Sequence, residues 1–291
     1  IKSEIGRGAG LTYDNVVKAK AKYDADLRKP QRHEAFTDGK LRARLGMGMS
    51  VTSIFDPVLT ELAYTWWCPP GGIILDPFAG GSVRGIVASV LGFKYWGSEL
   101  RAEQVEGNRL QLNDVTTGKF KPKWICGDSS ETVPNGPPGD FVFSCPPYGN
   151  LESYSDNPKD ISSLPYEQFM EVYFDIINKS CQKLKDHRFA AFVVANYRDK
   201  VKRVMRDFVG DTIRCFAKAG LTFYNDAILI NSVGTGALRT NTNFLRGNRK
   251  LVKLHQNLLV FIKGDEEIAT SYLAKFEGEE GKTSEVHGQT D

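Results

Sequence analysis

The sequence holds few cysteines and histidines, no long apolar run and no internal repeat, and each absence narrows what the chain can be. Its five cysteines, Cys68, Cys126, Cys145, Cys181 and Cys215, are odd in number and show no Cys-x-x-Cys spacing. They argue against a disulfide framework or a thiolate metal cluster, and read as reduced thiols of an intracellular protein. The four histidines, His33, His187, His255 and His287, are too scattered for a metal-ligand pattern, so no metal is expected. No segment has the uninterrupted apolar length needed to cross a bilayer, and the basic start "IKSEIGRGAG" leads into no signal core. A soluble, cytoplasmic protein without a membrane partner is the expectation. With 291 residues, 41% of them hydrophobic, there is ample material for one large packed body or two small ones.

Acidic residues are unevenly placed. The net charge is only +3, yet Asp265 to Asp291 carries −6, which leaves +9 on everything before it. Between Ser232 and Asn257 there is no acid at all, while Arg239, Arg246, Arg249, Lys250 and Lys253 gather there. A second basic run extends from Lys18 to Arg44. Such runs commonly form solvated faces, and an acid-free basic loop also suits a polyanion such as nucleic acid. The expected organisation is a basic helical arm over 1–50, a main domain over 51–264 with 231–257 as a recognition loop, and an acidic, disordered tail over 265–291.

Within the main domain, short apolar runs alternate with helical periods. "GIILD" (Gly72–Asp76), "YWGSE" (Tyr95–Glu99), "WICGD" (Trp124–Asp128), "FVFS" (Phe141–Ser144), "FAAFVVAN" (Phe189–Asn196), "AILI" (Ala227–Ile230) and "LLVFIKG" (Leu258–Gly264) predict buried strands. Tyr166, Phe169, Met170, Tyr173, Ile176, Ile177, Cys181 and Leu184 recur at helical spacing, as do Val83, Ile86, Val87 and Val90. A third helix is predicted through Val201, Val204, Met205 and Phe208, ending at Gly220. This order predicts right-handed crossovers and an α/β, Rossmann-like, doubly wound sheet.

Open parallel sheets bind ligands beyond the carboxyl ends of their strands, and the polar residues sit at those ends. Asp76 opens "DPFAGGS", where Gly80 and Gly81 let a backbone approach a ligand and Phe78 offers an apolar face. Glu99, which can accept from ribose hydroxyls, ends the next run, and Asp128 the third. The fourth ends in "SCPPYGN", where Cys145 precedes a rigid Pro146-Pro147-Tyr148 turn. A nucleoside cofactor beside a reaction centre is the chemistry this suits. Asn196, ending the fifth run, faces the same rim or serves as a turn residue. "GNLESYSDNP" has the length of a mobile loop over the site.

"DPFAGGS" followed by "SCPPY" resembles the cofactor and catalytic motifs of S-adenosylmethionine-dependent DNA amino-methyltransferases, which modify the exocyclic amine of adenine or cytosine. The likeness runs from about Ser53 to Gly264, with "SIFDPVLTELAYTWWCPPGG" as the helix flanking the methionine end of the cofactor. Its motif order is similar to that of the family's gamma group. "RKLVKLHQNLLVFIKG" resembles the last strand of methyltransferases of phages and mobile elements. The resemblance implies the class I methyltransferase fold, a mostly parallel seven-stranded sheet with an antiparallel last strand, in a bacterial or phage-infected cell. It implies S-adenosylmethionine or a derivative as cofactor, lined by Phe78, Gly80 and Gly81, with Glu99 on the ribose and Asp128 with Cys126 or Ser129 at the adenine; Asp76, at the strand end that opens the turn, is expected in the same cofactor site. It also implies that the Pro146 carbonyl accepts from the target amine and that Tyr148 stacks on a base flipped from double-stranded DNA. The glycines, asparagines and arginines of the link over 231–257 make Arg239, Arg246, Arg249 and Lys250 the expected DNA contacts.

Two departures stand out. "FAGGS" replaces the usual Phe-x-Gly-x-Gly order, which shifts the second close-approach glycine. Cys145 stands where the family has Asp, Asn or Ser, and a neutral thiol is a weak acceptor. Three readings stay open: a near-isostere of Ser that leaves the work to the Pro146 carbonyl, a nucleophile for carbon 5 of cytosine, or an impaired site in a nucleic-acid-binding module. RNA methyltransferases on the same fold remain an alternative.

Overall fold

The computed structural model describes residues 55–275, apart from 114, 116–117, 152–153, 200–201, 231–239 and 241–243. The arm over 1–50, Arg239 and the tail over 276–291 lie outside the described residues. The first element, α1 (Pro57–Trp67), starts because Asp56 caps it: the carboxylate accepts from Val58 N at 2.8 Å, and Pro57 needs no partner at the first position. Then come β1 (Ile73–Asp76), α2 (Val83–Val90), β2 (Lys94–Glu99), α3 (Ala102–Asn113), β3 (Lys123–Cys126), α4 (Ser129–Thr132) and β4 (Gly139–Ser144). The second half holds α5 (Tyr166–Lys183), β5 (Leu184–Val194), a hairpin of β6 (Tyr197–Arg198) and β7 (Met205–Arg206), α6 (Phe208–Lys218), β8 (Thr222–Ile230), β9 (His255–Lys263) and α7 (Glu266–Ser271).

The large sheet runs β3-β2-β1-β4-β5-β9-β8, parallel from β3 to β5, with β9 antiparallel to both neighbours. It is the doubly wound, mostly parallel sheet with a reversed last strand that the sequence predicts. Its pleat sends alternate residues to two cores. In β5, Ala190, Phe192 and Val194 join Phe169, Tyr173, Ile177 and Phe216 under α5 and α6. Phe189, Ala191 and Val193 join Tyr64, Phe93, Phe141 and Phe143 under α1 and α2. A buried aromatic or aliphatic side chain is worth roughly 1.5–3 kcal/mol, so the two layers fix the strand order.

Two expectations are corrected. The helix predicted through Val201 and Phe208 begins only at Phe208, because Asp207 caps it by accepting from Gly210 N. Val204 and Met205 sit instead in the hairpin, about half exposed. The acidic tail is not wholly without structure: Asp265 caps α7 by accepting from Ile268 N at 3.0 Å, and Ala269 is buried against the second core. Asp265 N in turn donates to His187 Nδ1 at 3.0 Å, giving that histidine a structural task. Among the described residues no helix is long and apolar enough to cross a membrane.

Candidate active site

The carboxyl ends of β3, β2, β1, β4 and β5 lie along one rim of the sheet. Glu99 pairs in register with Cys126, while Leu75 and Val142, one and two residues short of their strand ends, pair across β1 and β4. The glycine turn after β1 and the proline turn after β4 are therefore immediate neighbours. Ser144 joins them directly. Fully buried, it donates to Asp76 Oδ1 at 2.5 Å and accepts from Phe78 N at 3.1 Å.

Asp76 is expected at the cofactor, but it is wholly enclosed. Its Oδ2 accepts from Arg84 Nε at 2.6 Å and Tyr95 Oη at 2.7 Å, and its Oδ1 takes the Ser144 hydroxyl. Asp76 thus holds the turn from beneath. Burial works against the Arg84 charge, but the adjacent Asp76 carboxylate outweighs it and the guanidinium is held more firmly protonated than usual. Its Nη2 donates to the carbonyls of Phe78 and Ala79 at 2.6 and 2.9 Å, closing the turn around a buried ion pair.

The top of the turn is open. Gly80 has φ +53°, a left-handed value that favours glycine, and a Cβ at Gly81 would meet no atom within 4 Å. Asn108 steadies the turn by donating to Gly80 O at 2.8 Å, and Ser82 donates to Gln111 Oε1 at 2.6 Å. Glu99 borders this opening. One carboxylate oxygen accepts from Gly80 N at 2.9 Å and the other from Arg101 N at 3.0 Å. Burial raises its pKa, with the Arg101 and Gly80 hydrogen bonds pulling the other way. Further along, Asp128 is partly exposed and accepts from Ser130 N at 2.8 Å, and Cys126 is exposed. Ser129 points inward, donating to Pro77 O at 2.5 Å with Ser98 Oγ 3.0 Å from its hydroxyl oxygen, so it braces the turn from the β3 side. Phe78 leans into the core against Tyr173, with ring centroids 6.0 Å apart.

In the proline turn Pro146 is buried, whereas Cys145, Pro147 and Tyr148 are partly exposed. Cys145 Sγ and Tyr148 Oη are 3.9 Å apart, and Tyr148 Oη donates to Val193 O at 3.4 Å. The Tyr148 ring rests on Phe208 at 5.8 Å, and burial, then Cys145, pushes its phenol well above the ordinary range. Tyr148 is therefore a braced plane rather than a free-standing one. Asn196 Oδ1 accepts from Val209 N at 2.8 Å, so its side chain supports the first turn of α6 beside the Asp207 cap. The described part of the following loop is tied down through Asp160, which accepts from Ser155 Oγ at 2.9 Å and from Ser162 N at 2.9 Å.

Of the expected DNA contacts, Arg246 and Arg249 are exposed and Lys250 is partly buried. Arg249 has φ +58° and lies over the Phe244 ring at 5.5 Å. Sequence reasoning assigned no role to Ser144, Arg84, Tyr95 or Asn108. A charged residue inside the otherwise apolar "VRGIVASV" was the available signal, since an unpaired Arg does not enter a core.

No family model matches the chain, and no curated protein does. Similar solved structures include TrmN from Thermus thermophilus, 13% identical with TM-score 0.49 over 74% of this chain and 51% of that one, so the match spans about half of TrmN. Precorrin-6y C5,15-methyltransferase from Geobacter metallireducens is 13% identical with TM-score 0.46, over 74% of this chain and 91% of that one. Magnesium protoporphyrin IX methyltransferase from Synechocystis, solved with bound S-adenosylhomocysteine, is 8% identical with TM-score 0.46, over 80% of this chain and 98% of that one.

Proposed function

We propose that the chain is an S-adenosylmethionine-dependent methyltransferase acting on an exocyclic amine, cytosine N4 or adenine N6, of a base extruded from double-stranded DNA. The observation that carries the reading is the Ser144 bridge, which sets an open glycine turn and a Cys-Pro-Pro-Tyr turn side by side on one rim. When bound, S-adenosylmethionine or a derivative supplies an electrophilic methyl group. The open face at Gly80 and Gly81 fits close approach of such a molecule, Glu99 fits its ribose hydroxyls, and Asp128 with Cys126 fits the adenine edge.

On the substrate side, Pro146 and Pro147 lack N–H groups and have φ held near roughly −65°, so the Pro146 carbonyl is a stationary acceptor. It orients the target amine, and the remaining exposed face of Tyr148 grips the base. Catalysis is then largely positioning, which in favourable cases lowers a barrier by about 7–11 kcal/mol. Arg239, Arg246, Arg249 and Lys250 contribute phosphate contacts, since the loop that carries them leaves β8 at the end of the sheet where β5 also ends.

The second reading makes Cys145 a nucleophile toward cytosine carbon 6. It is favoured by the partial exposure of Cys145 and by its electrostatic coupling to Arg84. The Asp76 carboxylate, 2.6 Å from Arg84, spends most of that positive field, which ranks this reading second. Labelled S-adenosylmethionine offered with duplex DNA, followed by mass spectrometry of the nucleosides, tests both. Methyl on an exocyclic amine supports the first and methyl on carbon 5 the second. Absence of calorimetric binding to S-adenosylmethionine and S-adenosylhomocysteine would end both.

A further inference from the structure

The rim has two unlike halves. Beyond β1, β2 and β3 lie the open turn, Glu99 and Asp128; beyond β5 stands the small β6–β7 hairpin. From Arg198 to Arg206 the sequence places five basic residues against one acid. That acid, Asp199, is buried and is engaged by Arg206 at 2.8 Å, so the pair anchors the hairpin and leaves its outer surface positive. Arg198 Nη1 donates to Arg203 O at 2.8 Å, closing the ribbon. Arg203 is exposed, has φ +57° and meets no acidic side chain among the described residues. Among the described residues the Lys202 side chain pairs with Glu167 alone, at 3.5 Å, both side chains more than half exposed, a pairing too weak and screened to hold it.

The hairpin is also part of the catalytic neighbourhood. Its first residue, Tyr197, packs so closely on Gly149, next after Tyr148, that a Cβ there would lie 2.0 Å from the Tyr197 hydroxyl oxygen. Between the basic residues, Val204 and Met205 are 49% and 51% exposed, an apolar tip with cations on both sides. Phosphates call for the cations, and bare apolar side chains at a site of base extrusion suit contact with sugars and unstacked base edges.

We infer that the β6–β7 hairpin is a contact element for duplex DNA, with Arg198, Lys202 and Arg203 on phosphates and Val204–Met205 against the opened stack. This rests on the nucleobase reading above. The test uses fluorescence anisotropy of a labelled duplex with the whole chain and with K202E/R203E, which leaves the Arg198 closure of the ribbon in place, over a series of salt concentrations, alongside calorimetry with S-adenosylhomocysteine. The expected result is affinity weakened at least about tenfold and a log–log salt slope shallower by about 2, near 0.9 for each lost phosphate contact, with affinity for S-adenosylhomocysteine unchanged. Wild-type binding that the variant retains with the same slope overturns the hairpin's role alone. A wild type that binds no duplex overturns the nucleobase reading as well. A loss confined to a hairpin RNA probe overturns the assignment to DNA.

Discussion

The Ser144 hydroxyl sits between two turns, donating to Asp76 Oδ1 at 2.5 Å while accepting from Phe78 N at 3.1 Å, and it is the shortest side-chain link between β4 and the glycine turn. Removing it takes a hydrogen bond from a buried carboxylate oxygen and leaves Phe78 N only its longer contact with that same oxygen at 3.2 Å, which costs about 1–3 kcal/mol. S144A is expected to lower unfolding stability by that amount in urea denaturation. Because the link sets the spacing of the two turns, methyl transfer is expected to fall further than affinity for S-adenosylhomocysteine. Equal losses in both would mean that Ser144 supports only the donor side.

Glu99 gives a prediction with a definite pH sign. Burial raises its folded-state pKa above the ordinary value of 4.5. Its favourable contribution to stability is therefore complete below that value and is lost as pH rises through the folded pKa. At pH 7 the buried charge costs stability, while E99Q sets an amide NH2 against one of the two backbone N–H groups, so the stability difference between the two proteins is expected to move in favour of the wild type as pH falls from 7 to about 4. The same change removes a charged acceptor. Affinity for S-adenosylhomocysteine at pH 7 is expected to fall about 10- to 100-fold, the equivalent of roughly 1.5–3 kcal/mol. Calorimetry and denaturation at the two pH values check both halves.

The cysteines separate by environment, which gives a direct probe of Cys145. Burial first, in each case, pushes Cys181 up to about 12, Cys215 up to about 11 and Cys68 well above its usual range. These three are expected to resist iodoacetamide at pH 8, while exposed Cys126 reacts first and half-buried Cys145 more slowly. Peptide mass spectrometry reads each site. If the amine reading holds, C145S keeps methyl transfer to within about tenfold, whereas loss of a true nucleophile costs several orders of magnitude.

Much of this was legible in the sequence, for reasons that differ by element. "FVFS" and "FAAFVVAN" are apolar on both faces because their strands are covered on both faces, and the rim followed from where their polar residues fall. The enclosure of Asp76 was not legible because an acid beside a glycine turn looks the same whether it is open or bonded to a buried Arg. Its true partners are Arg84, Tyr95 and Ser144, 8, 19 and 68 residues further on. Val201, Val204, Met205 and Phe208 mimic a helical period, but Asp199 and Asp207 each bind the backbone locally and bend the chain into a hairpin followed by a cap. The pairing of that hairpin with Gly149 is a tertiary contact across 48 residues that no local pattern announces.

Gly149 itself supplies the sharpest test of the link between the hairpin and the proline turn. Its φ of +50° costs a residue with a Cβ about 1–2 kcal/mol. That Cβ would also stand 2.0 Å from Tyr197 Oη and 2.9 Å from its Cζ. G149A is therefore expected to lose at least about 2 kcal/mol of stability and to reduce methyl transfer, with donor affinity spared because the glycine turn is untouched. Y197F removes the nearer of the two clashing atoms. G149A/Y197F is expected to recover part of the stability and part of the transfer rate, leaving a coupling energy of about 0.5–3 kcal/mol. The backbone strain at position 149 remains in the double variant, so recovery stays incomplete. Strict additivity of the two substitutions would show that the hairpin and the turn move independently, and the hairpin would then have no means of holding the proline turn in place.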